Sequence, residues 1–290
     1  MRIAYFTATM GGAGHLARGV ALGNGLRRQG FTGDYRMFGP PMPYATGLRD
    51  DYTALTLTRE SARSPAAIAA SPLAEALQAF DPDLLLVDHF WVSIHHLLPQ
   101  LRCEAWLLLH TVPRPWLAGP PMLRFDRRRF AQVIAIEPME HHTLDDMVPP
   151  VVIVNPDECH PPSKLRDLFS VPADRTLTLL AHTGLGEGRE VADLEAEFGV
   201  GPHEMLVSLS MHRGEAIFPL APYLPGADRL IGGGGYNFFW ETQWLGLGDR
   251  TLYRPFHRTL DNQKWRVEHL QGMQMSENGA DVLARQMMAG

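Results

Sequence analysis

Lysine and cysteine are the scarce residues of this chain: Lys164 and Lys264 are the only lysines, and Cys103 and Cys159 the only cysteines, among 290 residues. Two isolated cysteines, neither in a C-x-x-C pair, exclude a disulfide framework and a cysteine-rich metal knuckle, and they fit a reducing setting. A formal net charge of −6 leaves no basic field for nucleic acid or an anionic membrane. Arginine carries nearly all the positive charge, which reads as genome composition before it reads as phosphate recognition. No apolar run approaches the roughly 20 residues that cross a bilayer. The opening MRIAYFTAT has the look of a strand rather than a secretory signal, so a cytoplasmic location is expected. The apolar share, 45%, is ordinary for a globular protein and gives no reason to invoke disorder.

What is present is an alternation of short apolar runs with amphipathic stretches, the pattern of α/β units with parallel strands. A strand is expected over 2–8, a glycine turn over 11–14 and a helix over 15–29 that stops at Gly30. Residues 38–71 are rich in Pro, Gly, Ser and Thr and read as loops with weak strand. Ser71-Pro72 caps a helix over 73–80. Strands follow over 84–87, 105–109 and 132–136. After Pro149-Pro150 the pattern restarts: a strand over 151–154, a short helix over 165–169, and strands over 176–181, 205–209 and 229–231. The boundary falls near Val148, and both halves begin with strand, glycine turn and helix.

Gly12-Ala13-Gly14-His15-Leu16-Ala17 fits G-x-G-x-x-A in the strand-to-helix setting of the dinucleotide fingerprint. Asp34 has the distance of the fingerprint's acidic residue but precedes the apolar residues it should end. The firm inference is geometric: the N–H groups at this helix start face the crevice of the sheet and suit an anionic or hydroxylated ligand. The second run, Gly232-Gly233-Gly234-Gly235, follows a strand and opens a helix carrying Asn237 and Glu241. Such glycines let a backbone approach a diphosphate, and a carboxylate two turns on suits two vicinal ribose hydroxyls.

With these residues the chain resembles the GT-B glycosyltransferases, the group of the peptidoglycan N-acetylglucosaminyltransferase and the macrolide and natural-product transferases. Their D-x-x-I-G-x-G-G-x-N/S-x-x-x-E element is matched by Asp228, Ile231, Gly232, Gly234, Gly235, Asn237 and Glu241. Their P-(x)n-D-x-Q element is matched by Pro255, Asp261 and Gln263. His182-Thr183-Gly184 looks like the family's other phosphate-contacting loop, Gly11-Gly12-Ala13-Gly14-His15 like its N-terminal G-G-x-G-H turn, and residues 81–88 like its P-D-(hydrophobic)n-D strand. Residues 277–281 resemble the opening of its last helix. The resemblance implies that the glycines hold diphosphate, Glu241 the ribose, and Asp261 and Gln263 the donor sugar. The chain is short for this class, its N-terminal half is trimmed, and residues 243–249 lack the family's proline.

Asp81-Pro82-Asp83 also fits D-x-D, a metal-binding signature, but it precedes its strand and the proline makes a turn, so no metal is expected there. His89, His95, His96, His141, His142 and His160 follow no zinc spacing and read as surface or loop histidines. His15 differs: it opens the first helix, and Asp88 ends a parallel strand, so both point to the crevice. A histidine backed by a carboxylate is a general base for an acceptor hydroxyl.

The expectation is therefore an α/β protein of two Rossmann-like domains, 1–148 and 149–290, facing across a cleft. The expected activity is metal-independent transfer of a sugar from a nucleoside diphosphate, UDP first, to a small-molecule or lipid acceptor. The nucleotide-sugar is a substrate, and no resident cofactor is implied. Three other readings stay open: a catalytically silent nucleotide-sugar-binding module or activating subunit, a nucleotide-sugar epimerase, and an NAD-dependent oxidoreductase resting on the first glycine turn.

Overall fold

The computed structural model describes residues 1–8, 13–42, 51–58, 64–112, 117, 125–141, 144, 146–182, 189–198, 200–210 and 217–289. The N-terminal half builds a seven-stranded sheet of order β3-β2-β1-β4-β5-β6-β7. Its strands are β1 (Arg2–Phe6), β2 (Asp34–Gly39), β3 (Tyr52–Ala54), β4 (Leu84–Asp88), β5 (Glu104–Leu109), β6 (Gln132–Ala135) and β7 (Asp146–Met147). Every pairing is parallel. The C-terminal half builds a second parallel sheet, β11-β10-β8-β9, from β8 (Thr176–Ala181), β9 (Glu204–Leu209), β10 (Arg229–Gly232) and β11 (Thr251–Tyr253).

Parallel strands covered on both faces carry continuous apolar runs. In β4, LLLVD, every residue is buried. Successive residues of β1 feed opposite layers: Ile3 and Tyr5 join one core cluster, Ala4 and Phe6 another. The helices are α1 (Gly14–Arg28), α2 (Pro65–Ala69), α3 (Pro72–Phe80), α4 (Trp91–Ile94), α5 (Ser163–Leu168), α6 (Arg189–Glu197), α7 (Tyr236–Trp244), α8 (Gln263–Leu270) and α9 (Gly279–Ala289). Ser71 caps α3, accepting from the Ala74 N–H at 3.2 Å, with Pro72 in the first turn.

The two halves share a core. Ile3, Leu16 and Leu22 lie in one apolar cluster with Tyr236, Phe239 and Trp240 of α7 and Leu283 of α9. The last helix crosses back to pack on α1, where Arg28 pairs with Asp281 at 2.7 Å. Residues 151–154 are buried and belong to no strand, contrary to the expectation of one. Their backbone groups bond to side chains instead: the Val151 N–H donates to the Tyr236 hydroxyl at 2.7 Å, and Asn278 donates to the Val152 carbonyl at 3.0 Å. Apolar content buried this segment, but prolines on both sides and side-chain partners took it out of the sheet.

The chain order reverses at two places. In the first sheet β1 lies between β2 and β4; in the second, β8 lies between β9 and β10. Such switch points open crevices at the carboxyl ends of their strands. Among the described residues no helix is long and apolar enough to cross a membrane.

Candidate active site

The first switch point places His15, second residue of α1, beside Asp88, last residue of β4. His15 Nδ1 lies 2.7 Å from Asp88 Oδ2. Asp88 is 1% exposed. Arg18 donates from Nε to both carboxylate oxygens, at 3.2 and 3.1 Å, and its Nη2 stands 2.5 Å from His15 Nδ1. The Tyr5 hydroxyl reaches the same carboxylate and also the His15 carbonyl at 2.7 Å. Burial alone raises the Asp88 pKa, but the Arg18 charge and the bonds from His15 and Tyr5 outweigh it and hold the carboxyl well below its ordinary range. Burial pushes the His15 imidazole down; Asp88 pulls it up, Arg18 opposes that, and the net shift is downward. Nδ1 faces both an acceptor and a donor: donated to Asp88 as Nδ1–H it leaves Nε2 unprotonated, whereas accepting from Arg18 it leaves the proton on Nε2, and the base form is the first of these.

His89 and His110 stack with ring centroids 4.2 Å apart, and each lies about one ring beyond His15, at 6.0 and 6.2 Å. The expectation that His89 and His95 are surface residues is corrected: they are 0% and 5% exposed. His89 continues the β4 ladder, donating to the Leu108 carbonyl at 2.9 Å with φ of 65°, which turns its ring inward. Burial, first of all, holds both His89 and His110 well below the ordinary histidine value.

The second switch point supplies the opposite wall. His182 follows β8, and its Nε2 lies 2.6 Å from Glu190, which Arg258 grips through both terminal nitrogens at 2.7 and 2.6 Å. Gly232 to Gly235 lead from β10 into α7, and they divide by role. A Cβ on Gly232 would stand 2.7 Å from the Ala181 carbonyl oxygen, and one on Gly234 2.8 Å from Val267, so these two are small for packing. Gly233 and Gly235 line the cavity. Asn237 bridges the walls, donating to the Gly14 carbonyl at 2.8 Å. Glu241 also lines the cavity and has no hydrogen-bonding or ionic partner among the described residues; burial pushes its carboxyl up to about 8. Asp261 lines the cavity with one oxygen held by Arg266 at 2.6 Å, while Gln263 accepts from the Phe256 N–H at 3.0 Å. Gly12, Thr183 and Gly184 lie outside the described residues.

Between the walls is one cavity of about 600 Å³, reached by the N-terminal ends of both α1 and α7. Beneath it Tyr236 carries two guanidiniums over its ring, Arg18 at 5.1 Å and Arg266 at 5.8 Å. Sequence reading missed Arg18, His110, Glu137, Tyr236 and Arg266. For Arg18 a signal existed: a charge within the apolar LARGVAL helix, three residues after His15 and so on the same face. Asp81 and Asp83 sit at the far end of β4 from the cavity, bonded to Arg2 through its guanidinium and backbone N–H, each at 2.6 Å.

No family model matches the chain, and no curated protein sequence does. Solved structures match over nearly its whole length. The spinosyn rhamnosyltransferase SpnG, complexed with thymidine diphosphate, superposes with a TM-score of 0.54 at 14% identity, covering 100% of this chain and 95% of that one. UGT2 of Phytolacca americana, complexed with UDP-2fluoro-glucose and pterostilbene, gives 0.56 at 13% identity, covering 99% and 89%. Sucrose-phosphate synthase of Thermosynechococcus elongatus gives 0.50 at 13% identity, covering 100% and 98%. The chain thus has the GT-B fold, two Rossmann-like domains facing across a cleft.

Proposed function

We propose that this protein is a glycosyltransferase that moves a sugar from a nucleoside diphosphate donor to the hydroxyl of a small-molecule or lipid acceptor, with no metal and no resident cofactor. The observation that carries this reading is the composition of the cavity between the two walls: a histidine–carboxylate pair on one wall, and on the other the N-terminus of α7 with Glu241, unpartnered among the described residues, behind it. Gly233, Gly235 and the first turn of α7 offer backbone N–H groups to a diphosphate, and Glu241 offers acceptor oxygens to ribose hydroxyls. Asp261 and Gln263 lie beside that position and take the sugar. The acceptor O–H gives its proton to His15 Nε2; its oxygen forms the new bond to the sugar's anomeric carbon; the bond to the diphosphate breaks, and the helix N-terminus stabilises the departing charge. Base and leaving group occupy opposite walls, which suits direct displacement with inversion. SpnG and UGT2 were solved with a nucleoside diphosphate and with a UDP-sugar, and this chain is proposed to take the same ligand class, UDP first and dTDP second.

A thermal-shift panel of UDP, dTDP, GDP, NAD and FAD tests the donor class, because a ligand that binds only the folded state raises the melting temperature. Stabilisation by a dinucleotide and by no nucleoside diphosphate overturns the reading. With an acceptor in hand, His15→Ala lowers kcat by about 10²–10⁴-fold with nucleotide affinity nearly intact, and Asp88→Asn costs less. Activity survives EDTA; strict dependence on added Mg²⁺ or Mn²⁺ refutes the metal-independent mechanism.

A further inference from the structure

Histidine–carboxylate pairs raise the basicity of the imidazole, because the carboxylate steadies the imidazolium. This site contains a third charge that opposes that effect. Arg18 is 3% exposed, an environment that a cation tolerates only when paired. Its partner is the same carboxylate that backs His15: Nε reaches both Asp88 oxygens and Nη2 reaches Oδ2 at 3.0 Å. The guanidinium therefore already balances the single charge of Asp88, and its Nη2 also stands 2.5 Å from His15 Nδ1, where an imidazolium would meet it as a like charge.

The other groups around His15 do not restore the balance. Tyr5 of β1 is neutral, its hydroxyl ionisation pushed far up by burial and then by Asp88. His89 and His110, from the ends of β4 and β5, are held neutral by burial. Tyr236 of α7 is neutral and bonded to backbone. Asp261, ahead of α8, is a further anion that pulls the imidazole up, and Arg266 holds it.

We propose that Arg18 is a positioning residue for the base: by clamping Asp88 and placing its charge beside the imidazole, it keeps His15 uncharged, so that with Nδ1–H turned to Asp88 the bare Nε2 takes the acceptor's proton, and it makes the proton, once taken, easy to lose. The inference rests on the reading of His15 as the base. It also gives the interdomain stack a role, since the Arg18 guanidinium lies over Tyr236 and is thereby fixed from the opposite domain.

The test is the titration of His15 itself, followed by NMR of ring-labelled histidine in the full-length protein without substrate, the signal assigned by its loss in His15→Gln. In the native protein His15 titrates below the ordinary histidine value of about 6.5. In Arg18→Gln the carboxylate is unopposed and the titration moves up by about one pH unit or more. In Arg18→Lys, which keeps the charge, it stays near the native position. In Asp88→Asn, which leaves the cation alone, it moves down. The acid limb of kcat/KM follows the same order, a response that a merely structural arginine would not produce. An unmoved titration in a folded Arg18→Gln protein overturns the proposal. Should that variant not fold, Asp88→Asn decides: a titration that stays or rises overturns it. The NMR measurement needs no acceptor, so its success in a protein that transfers no sugar would sink the glycosyltransferase reading alone, and its failure in an active enzyme would sink the role of Arg18 alone.

Discussion

Glu241 is a carboxylate that has no partner among the described residues and lies against a cavity. Burial raises its pKa to about 8, so near pH 7 the empty site holds mostly the neutral acid. Ribose hydroxyls donate to the ionised form and favour it. Nucleotide uptake then releases a proton, and affinity for UDP tightens as pH rises from about 6 through 8. Titrating UDP into native and Glu241→Gln protein across that range checks this, since the substitution removes the carboxyl and leaves the phosphate's own titration. Equal slopes in the two proteins would remove Glu241 from the ribose site. Truncation to alanine weakens UDP binding by about 1–3 kcal/mol. The same group bears on stability with a definite sign. A carboxyl whose folded pKa lies above its unfolded value contributes fully below the unfolded value and loses that contribution as pH rises towards 8. Glu241→Gln therefore gains more in melting temperature over the native protein at about pH 8.5 than at pH 5.

At the scale of elements, the seam between α1 and α9 carries a structural requirement. Gly25 of α1 faces the start of α9, where a Cβ would stand 2.4 Å from the Ala280 carbonyl oxygen. Leu283 and Met287 bury the rest of the seam, each contributing about 1.5–3 kcal/mol. Gly25→Ala gains helix propensity of roughly 1 kcal/mol but forces two backbones apart, and overpacking of this kind costs about 1–3 kcal/mol. The net expectation is a lower denaturation midpoint with an unchanged m-value; a stabilised variant would show that α9 yields. The glycine-rich α1 also shows where sequence is legible. Its limits to within a residue, and the buried strands expected over 84–87 and 176–181, are readable because continuous apolar runs and glycine stops are local properties. The residues 151–154 misled because burial without sheet pairing depends on Tyr236 and Asn278, 85 and 126 positions away. Within the cavity, the glycine turns, His15, Asp88 and Glu241 were visible as types in a pattern. Arg18 shows only as a charge within an apolar helix and Arg266 not at all, since an arginine's partner is a three-dimensional fact and this chain is rich in arginine.

At the scale of the molecule, the two halves are joined by a buried ion pair with no exposed surface: Arg266 of α8 and Glu137, just beyond β6, are each 0% exposed. The guanidinium binds the carboxylate through Nε at 2.8 Å and Nη2 at 2.7 Å, and it also donates to the Gly234 carbonyl and to Asp261. Glu137 accepts further from the Trp240 indole at 2.6 Å and the Thr111 N–H at 2.7 Å. An ion pair so fully bonded is expensive to break from one side, because the remaining charge stays buried. Glu137→Ala is expected to cost about 3–5 kcal/mol in denaturant unfolding. Glu137→Gln, which keeps the shape and part of the bonding, costs less. The damage is not confined to stability. Arg266 holds one oxygen of Asp261, the residue proposed to meet the donor sugar, so loosening Glu137 disorders that contact most, whereas α7 has further anchors in its apolar packing and the Asn237 bond to Gly14. In Glu137→Gln the affinity for a UDP-sugar therefore falls more than the affinity for UDP, and the ratio of the two, measured calorimetrically, reports the coupling. Equal losses for both ligands would confine the ion pair to holding the halves together. A Glu137→Ala protein as stable as the native one would show that the halves do not depend on it at all.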